Sequence, residues 1–266
     1  MYRLIYPLFF ILFLFSCKKE ECYAPLSIHE CNCQIETATD TYIYPIRPGS
    51  DEWNAFQSSE QMVEAVQISF SILNSMSTYG LIETCLENPL FLELYLAGSP
   101  QSFYDHYFDT FNVCEVLVNR KDAMHKLIER YSLMCIECID NNYSNFSGKG
   151  GNVKFAFDEI ELLLAQEDFL KKISASNRIE LGRIVMDRYN KKKNNNFSLY
   201  HKMMSAWVAG RIMNYDNYYE ILDLIESREE ISIFINSGLI LLPTNSEITV
   251  DEIVSTIMIS FNNYLN

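Results

Sequence analysis

Hydrophobic residues recur at helical spacing along most of the chain. Near the C-terminus they occupy Val250, Ile253, Val254 and Ile257, and the same spacing continues to Leu265. Positions three and four residues apart lie on one face of an α-helix, so this stripe marks the buried side of a helix. A similar stripe runs over 123–139. The pattern predicts an all-α domain whose helices pack on a shared core.

The periodic segments, and the polar breaks between them, predict a succession of helices, with some short neighbours fused. The predicted helices cover 51–56, 59–73, 78–87, 89–97, 100–118, 120–139, 153–165, 167–174, 177–191, 198–213, 216–226, 228–236 and 250–265. They would form either an irregular multi-helix bundle or a loose, solenoid-like array of α-hairpins. A faint internal echo between 127–131 and 185–189 favours the array, whereas its lack of a fixed period favours the bundle.

Local signals at the ends of the segments support these boundaries. Capping boxes, in which a Ser or Thr is followed three residues later by Glu or Gln, are predicted at 58–61, 227–230 and 249–252. Gly98 and Gly238 stand where a left-handed residue commonly ends a helix. Ser50 or Asp51 can cap the first helix.

The first sixteen residues differ from the rest of the chain. One cation, Arg3, precedes an apolar run from Leu4 to Ser16, which Lys18 and Lys19 follow almost at once. A membrane-spanning helix needs roughly 20 apolar residues, and this run is shorter. We therefore interpret 1–16 as a signal peptide.

The end of that run carries a family resemblance. Leu14-Phe15-Ser16-Cys17 resembles the lipobox of bacterial lipoproteins, although Phe15 stands where a small residue is commoner, a bulk that Bacteroidetes-type lipoproteins tolerate. The resemblance implies lipid attachment at Cys17. Lys18-Lys19-Glu20-Glu21 resembles the signal that directs Bacteroidetes lipoproteins to the surface side of the outer membrane. The periplasmic face remains the alternative location.

Residues 17–49 lack helical periodicity and contain three prolines, so we expect a lipidated Cys17 followed by an extended tether. The helical domain is predicted to cover 50–266. The segments 44–53, 76–78, 81–85 and 120–123 resemble an uncharacterised family of helical Bacteroidetes lipoproteins. That resemblance implies an exported all-α domain and no particular activity.

Composition limits the classes of partner. The chain is 48% hydrophobic and carries a formal net charge of −14. A protein that follows nucleic-acid phosphates needs a basic surface, so nucleic-acid partners are excluded. The predicted partners are the membrane, through the N-terminal lipid, and an unknown protein or glycan.

The cysteines give no clear site. The pairing of one group stays open, namely Cys22, Cys31, Cys33, Cys135 and Cys138. In an oxidising envelope Cys22 could close a small loop with Cys31 or Cys33. The Cys135–Cys138 pair is expected late in a helix and is interpreted as core thiols. Cys85 and Cys114 are likewise expected in the core.

No catalytic, cofactor-binding or metal-binding residue is predicted. The chain lacks a His-Glu-x-x-His zinc motif and a Gly-x-Ser-x-Gly nucleophile elbow. Asp105, His106 and Asp109 have the spacing of a metal face, but their aromatic neighbours indicate the wet side of an amphipathic helix. The cluster of Tyr215, Tyr218 and Tyr219 is a candidate surface for stacking sugar rings, although most aromatics of a helical protein are core.

The sequence thus favours a lipid-anchored, surface-exposed helical protein that acts as a non-catalytic interaction or binding module. The alternative is an exported glycan- or peptide-directed hydrolase, because well-placed carboxylates leave no local motif. A concave cleft with paired carboxylates would favour the enzyme. A smooth groove lined by Tyr and Leu would favour binding.

Overall fold

The computed structural model describes residues 38–134, 136, 153–242, 244 and 246–266. Over these ranges the chain is α-helical and forms no strand, which confirms the predicted all-α class. The predicted signal peptide, Cys17, most of the predicted tether, Cys135 and Cys138 lie outside these ranges. The helices are α1 (Asp51–Asn54), α2 (Ser59–Ala65), α3 (Phe70–Ser75), α4 (Thr78–Leu86), α5 (Pro100–Phe108), α6 (Asn112–Asn119), α7 (Ala123–Ser132), α8 (Val153–Leu164), α9 (Glu167–Leu170), α10 (Ala175–Asn194), α11 (Leu199–Tyr215), α12 (Tyr219–Ser227), α13 (Glu229–Ser237) and α14 (Val250–Leu265), with a 3-10 helix at Phe91–Tyr95.

Capping explains where several helices begin and end. Thr249 accepts from the backbone N–H of Glu252, whose carboxylate accepts in return, so the capping box predicted before α14 is confirmed. Ser50 caps α1, and Gly238 ends α13 at φ +76°. The other two boxes do not form as predicted, and Gly98 has no left-handed conformation. The predictions at 58–61, 227–230 and Gly98 were therefore wrong.

Two predicted helices are each broken in two. Residues 59–73 form α2 and α3, and residues 100–118 form α5 and α6. The breaks face each other: Gln67 Nε2 donates to the Thr110 carbonyl at 3.0 Å, and the Ile68 N–H donates to Asn112 Oδ1 at 3.2 Å. These amide side chains satisfy backbone groups that the helices leave unpaired, which stabilises both interruptions. α7 also ends earlier than predicted, at Ser132, whereas α10 continues through Asn194.

The centre of the domain is α11. It packs against α8, α10 and α14, and also against α9, α12 and α13. Gly210 permits a close approach, because a Cβ there would lie 2.1 Å from Cδ1 of Ile235. Trp207 is fully buried beside it and donates to the Ile235 carbonyl at 3.0 Å. Since helices distant in sequence, such as α5 and α13, also touch, the arrangement is an irregular bundle rather than a stack of hairpins.

Residues 38–49, here called the strap, form turns and irregular backbone rather than a helix, and they lie against α4. Tyr44 is buried, and its hydroxyl donates to the Thr84 carbonyl at 3.1 Å. The Tyr42 N–H donates to Thr84 Oγ1 at 2.9 Å. Asp40 accepts from the Ser77 N–H at 2.6 Å at the start of α4. The packing of the helical domain therefore includes residues that precede 50.

The strap approaches α4 closely at one glycine. A Cβ at Gly80 would lie 2.3 Å from Asp40 Oδ1, so only glycine leaves room for the carboxylate. Arg47 completes the attachment with an ion pair to Glu87 at 3.3 Å. Among the described helices, none is both long and apolar enough to cross a bilayer.

Candidate functional site

An acidic cleft opens between α5, α6 and α9. Its volume is about 580 Å³. Its lining is Tyr104, Asp105, Phe108, Asp109, Glu115, Val118, Asn119 and Asp168. α5 contributes both aromatic rings, whereas the carboxylates come from all three helices and from the turn after α5. The packing of α5 on α6 and the short α9 therefore creates a site that no single segment of sequence contains.

Two stacked aromatic rings form the floor of the acidic cleft. The rings of Tyr104 and Phe108 are 4.2 Å apart with an interplanar angle of 22°, and Phe169 meets Phe108 edge-on from below. Both floor residues are largely buried, with 8% of Tyr104 and 9% of Phe108 exposed. Burial, together with the nearby Asp168 carboxylate, raises the pKa of the Tyr104 phenol. The hydroxyl is therefore protonated at physiological pH.

The carboxylates of the acidic cleft are largely uncompensated. Asp168 pairs with Lys171 at 2.5 Å, and Asp105 accepts a hydrogen bond from Gln101 at 2.8 Å. Asp109 and Glu115 make no ion pair with any residue in the described ranges. A concave surface lined by one sign of charge concentrates counter-ions and oppositely charged ligands. The cleft is therefore suited to a cation.

A smaller hollow of about 260 Å³ lies beyond α9 and is lined by Glu167, Leu170, Arg211, Asn214 and Tyr215. The guanidinium of Arg211 donates to the Ala165 carbonyl at 3.0 Å. Burial lowers the pKa of Arg211, while the negative charges of Glu167 and Asp105 act in the opposite direction. Arg211 is thus held by the protein and is near acids of both hollows.

A second group of charges is enclosed in the core. Lys192 Nζ lies 2.6 Å from Glu161 Oε2 and also donates to the His201 carbonyl and to Ser205 Oγ, at 2.9 and 3.1 Å. The Tyr131 hydroxyl and Ser205 Oγ donate to Glu161 Oε1 at 2.5 and 2.7 Å. We call these side chains, Tyr131, Glu161, Lys192 and Ser205, the buried network.

The buried network contains a Ser–Lys pair, but it is no catalytic site. A nucleophilic serine beside a lysine base is a known catalytic arrangement. Here Glu161, Lys192 and Ser205 are all 0% exposed, and the serine proton is directed to the carboxylate. No substrate can reach the hydroxyl, so the network holds α7, α8, α10 and α11 together.

A neighbouring pair, His201 and Asp158, is also enclosed. His201 Nδ1 lies 2.7 Å from Asp158 Oδ2, which also accepts from the Tyr95 hydroxyl at 3.0 Å. Aromatic rings at 155, 197 and 200 surround the imidazole. Glu159, adjacent in sequence, is buried without a hydrogen bond to any described residue, and burial next to Asp158 raises its pKa well above the usual range.

The sequence-based candidates have mixed outcomes. Asp105, His106 and Asp109 are exposed while Phe103, Phe108 and Phe111 are buried, which confirms the wet side of the predicted helix. No group of three metal-binding side chains occurs in the part of the chain that the structure describes. Two of those polar residues, Asp105 and Asp109, instead line the acidic cleft. Glu115 and Asp168 were missed because they come from other segments.

The tyrosine cluster partly assembles. Tyr218 contacts Tyr219 and Tyr264, with ring centroids 5.0 and 5.3 Å apart, and Tyr219 is 64% exposed. One face of the Tyr215 ring is covered by Arg178, whose guanidinium lies 4.7 Å from the ring centroid. One exposed ring at an edge offers little area for stacking a sugar. The acidic cleft is therefore the stronger candidate site.

Cys85 and Cys114 are both fully buried, which confirms their predicted place in the core. Comparison of the chain with models of known protein families, with characterised proteins and with solved structures gives no match.

Proposed function

We propose that this chain is a lipid-anchored protein of the bacterial outer membrane, displayed on the cell-surface side, and that it binds a partner without catalysis. The anchoring proposal rests on the apolar run within 1–16 and on Cys17, which the charged residues 18–21 follow. Two or more acyl chains hold a protein stably on a membrane, whereas one is marginal.

The acidic cleft is the proposed binding site, and its ligand is a cationic group of the partner, such as a lysine or arginine side chain of a basic segment. The observation that carries this is the combination of four carboxylates with a stacked Tyr104–Phe108 floor in one concavity. Carboxylates attract the charge, and the edge of an aromatic floor accommodates the aliphatic stem of such a side chain. The overall charge of −14 adds long-range attraction.

Binding of a lysine-rich peptide to the full mature protein tests the site. Asp105→Asn with Asp109→Asn removes two cleft charges, and we expect about tenfold weaker binding, since exposed ion pairs contribute up to about 1 kcal/mol each. The control is Asp223→Asn with Glu226→Gln, which makes the same charge change on the exposed face of α12. Equal losses of peptide affinity in both variants would show that only the net charge of the protein matters, which would contradict a specific site.

Salt provides a second readout of the same binding. Raising the ionic strength to 1 M shortens the screening length to about 3 Å. Peptide binding should then weaken strongly for the unmodified protein and little for the cleft variant. Binding that resists salt would contradict an electrostatic site.

The lipid anchor is tested by Cys17→Ser. We expect loss of lipid labelling and release of the protein from the membrane fraction. Continued sedimentation with membranes after this change would overturn the lipoprotein assignment.

Sidedness is tested by replacing Lys18, Lys19, Glu20 and Glu21 with Ala. Lipidation should persist, but protease added to whole cells should no longer digest the protein. If the unmodified protein already resists protease on whole cells and is digested only after lysis, the periplasmic face is its location.

The hydrolase is a second candidate, because the acidic cleft is a concave site with several carboxylates, the feature expected of an enzyme from the sequence. A glycosidase acid is kept protonated in a dehydrated, apolar environment. Asp105, Asp109 and Glu115 are instead exposed, and Asp168 is paired with Lys171. Binding is therefore the better-supported function. Hydrolysis of polysaccharide or peptide substrates that is lost in the Asp105→Asn, Asp109→Asn variant would favour the enzyme.

A further inference from the structure

The side chains of Cys85 and Cys114 meet in the core. Cys85 lies near the end of α4 and Cys114 in the first turn of α6, and these helices pack directly on each other. The two Sγ atoms are 3.0 Å apart. A bonded pair is separated by about 2.0 Å, so a small rotation of either side chain closes the remaining distance.

The geometry points to a disulfide between Cys85 and Cys114 that joins α4 to α6 in the mature protein. This inference depends on the proposed function in one respect, the export of the chain. An exported chain folds in a compartment that supplies an oxidant and in which disulfides form and persist. It adds a covalent modification site to the domain, independent of the ligand of the acidic cleft.

The chemistry is thiol–disulfide exchange. The thiolate of one cysteine attacks the disulfide of an oxidising thiol oxidoreductase or of oxidised glutathione, and a mixed disulfide forms as one thiol leaves. The second cysteine then attacks the mixed disulfide and releases the other thiol. The Cys85–Cys114 bond forms as the oxidant's disulfide breaks, the two electrons pass to the oxidant's sulfurs, and the two cysteine protons are transferred through solvent to those leaving thiolates, which gives a dithiol or two thiols.

The fold determines when this exchange can occur. Cys85 and Cys114 are 0% and 1% exposed, so an oxidant cannot reach them once the domain is packed. Burial also raises the pKa of the Cys114 thiol, which leaves little of the reactive thiolate. The strap packs on the same part of α4, since buried Tyr44 donates its hydroxyl to the carbonyl of Thr84, the residue before Cys85. The bond therefore forms during folding, before α4, α6 and the strap have fully packed.

Peptide mapping tests the bond directly. The full chain is unfolded, reduced and refolded in a glutathione redox mixture, and remaining thiols are alkylated. A glutamyl-specific protease cuts after Glu83, Glu87, Glu93 and Glu115, which places Cys85 in peptide 84–87 and Cys114 in peptide 94–115. We expect the two peptides to be linked, with a mass about 2 Da below their sum, because bond formation removes two hydrogens. Recovery of both peptides in alkylated form would overturn the proposal.

A stability measurement distinguishes a Cys85–Cys114 disulfide from two thiols that are only in contact. Protein refolded in a reductant instead of the redox mixture cannot form the bond, and its melting temperature should be roughly 5–10 °C lower, in keeping with the usual effect of a native disulfide. In Cys114→Ser the linked peptide should be absent. The reductant should also lower the melting temperature of this variant less than that of the wild type, because the Cys85–Cys114 bond cannot form. A wild-type protein that shows the linked peptide in no refolding condition contradicts the inference.

The same mapping on protein from the native envelope keeps the two proposals distinguishable. Membrane-bound protein with alkylated Cys85 and Cys114 would contradict the disulfide and leave anchoring intact. Protein found in the cytosol would contradict the anchoring, and the refolding experiment would still decide whether the pair forms a disulfide.

Discussion

The buried network and the acidic cleft use the same kinds of side chain in opposite ways. In the network, Lys192 and Glu161 are withdrawn from water, and every donor and acceptor around them is paired within 3.1 Å. In the cleft, Asp109 and Glu115 stay in water without a cation from the described chain. A charge that is completely paired fixes the packing of helices, whereas one left unpaired at a concave surface is available to a partner. The comparison predicts that changes in the network affect stability and changes in the cleft affect binding.

The largest expected effect is that of Lys192→Met. It removes the cation and leaves the Glu161 carboxylate buried without its partner, at a cost of about 3–5 kcal/mol in the free energy of unfolding. Chemical denaturation of the two proteins measures it. The double variant Lys192→Met with Glu161→Leu should recover much of the loss, because no buried charge then remains unpaired. A single variant that loses less than the double would contradict the pairing.

Tyr131→Phe should have an intermediate effect. It deletes the hydroxyl that donates to Glu161 at 2.5 Å but keeps the ring, so the loss should be about 1.5–3 kcal/mol, as for other hydrogen bonds to charged groups. Tyr200→Phe is the matched control, since no hydrogen bond of the Tyr200 hydroxyl occurs within the described ranges. Equal effects in the two variants would show that the network hydroxyl contributes nothing specific.

Glu159→Gln tests a buried acid that lies outside the network. Because burial raises its pKa in the folded state, the folded protein holds a proton that the unfolded chain releases above about pH 4.3. The stability contributed by this group is therefore complete below that pH and is lost as the pH rises through the raised pKa. Melting curves at pH 5 and pH 8 should show a smaller decline for the variant than for the wild type. Asp223→Asn controls for net charge, and parallel declines in wild type and Glu159→Gln would contradict the raised pKa.

The smallest effect on stability is expected for Asp109→Asn. An exposed carboxylate without an ion pair contributes within about 0.5 kcal/mol, so the denaturation midpoint should barely move. Affinity for the lysine-rich peptide should nevertheless fall, by up to about fivefold. A variant that loses stability but keeps its affinity would reverse the assignment of the two regions.

Much of the fold could be predicted where the signals are local. The bounds of α14 follow from the Thr249 capping box and from a stripe of buried positions that includes Ile253, Ile257 and Phe261. The end of α13 follows from Gly238. Caps and helical periodicity are properties of a few consecutive residues, so no knowledge of tertiary contacts is needed.

The features that were missed depend on distant residues. Lys192 stands in a run of lysines and asparagines that reads as a loop, yet it is buried because Glu161 and Ser205 approach it from other helices. The breaks between α2 and α3 and between α5 and α6 need the amides of Gln67 and Asn112, which act across the fold. The acidic cleft also combines three helices. Asp105 and Asp109 could be recognised as polar, but nothing local indicated that Glu115 and Asp168 would join them.

The strap determines where a pull on the anchor reaches the domain. If Cys17 carries the lipid as proposed, the 23 residue steps from there to Asp40 can span at most about 80 Å, which sets the greatest height of α4 above the bilayer. Tension along this segment would act first on the hydrogen bonds between Asp40 and Ser77 and next on buried Tyr44. The contacts of the strap with α4 would therefore be loaded before the packing of α8, α10 and α14 on α11. Glycine at position 80 allows Asp40 to approach α4 closely. The resulting attachment would break under tension before the core of the tethered protein is strained.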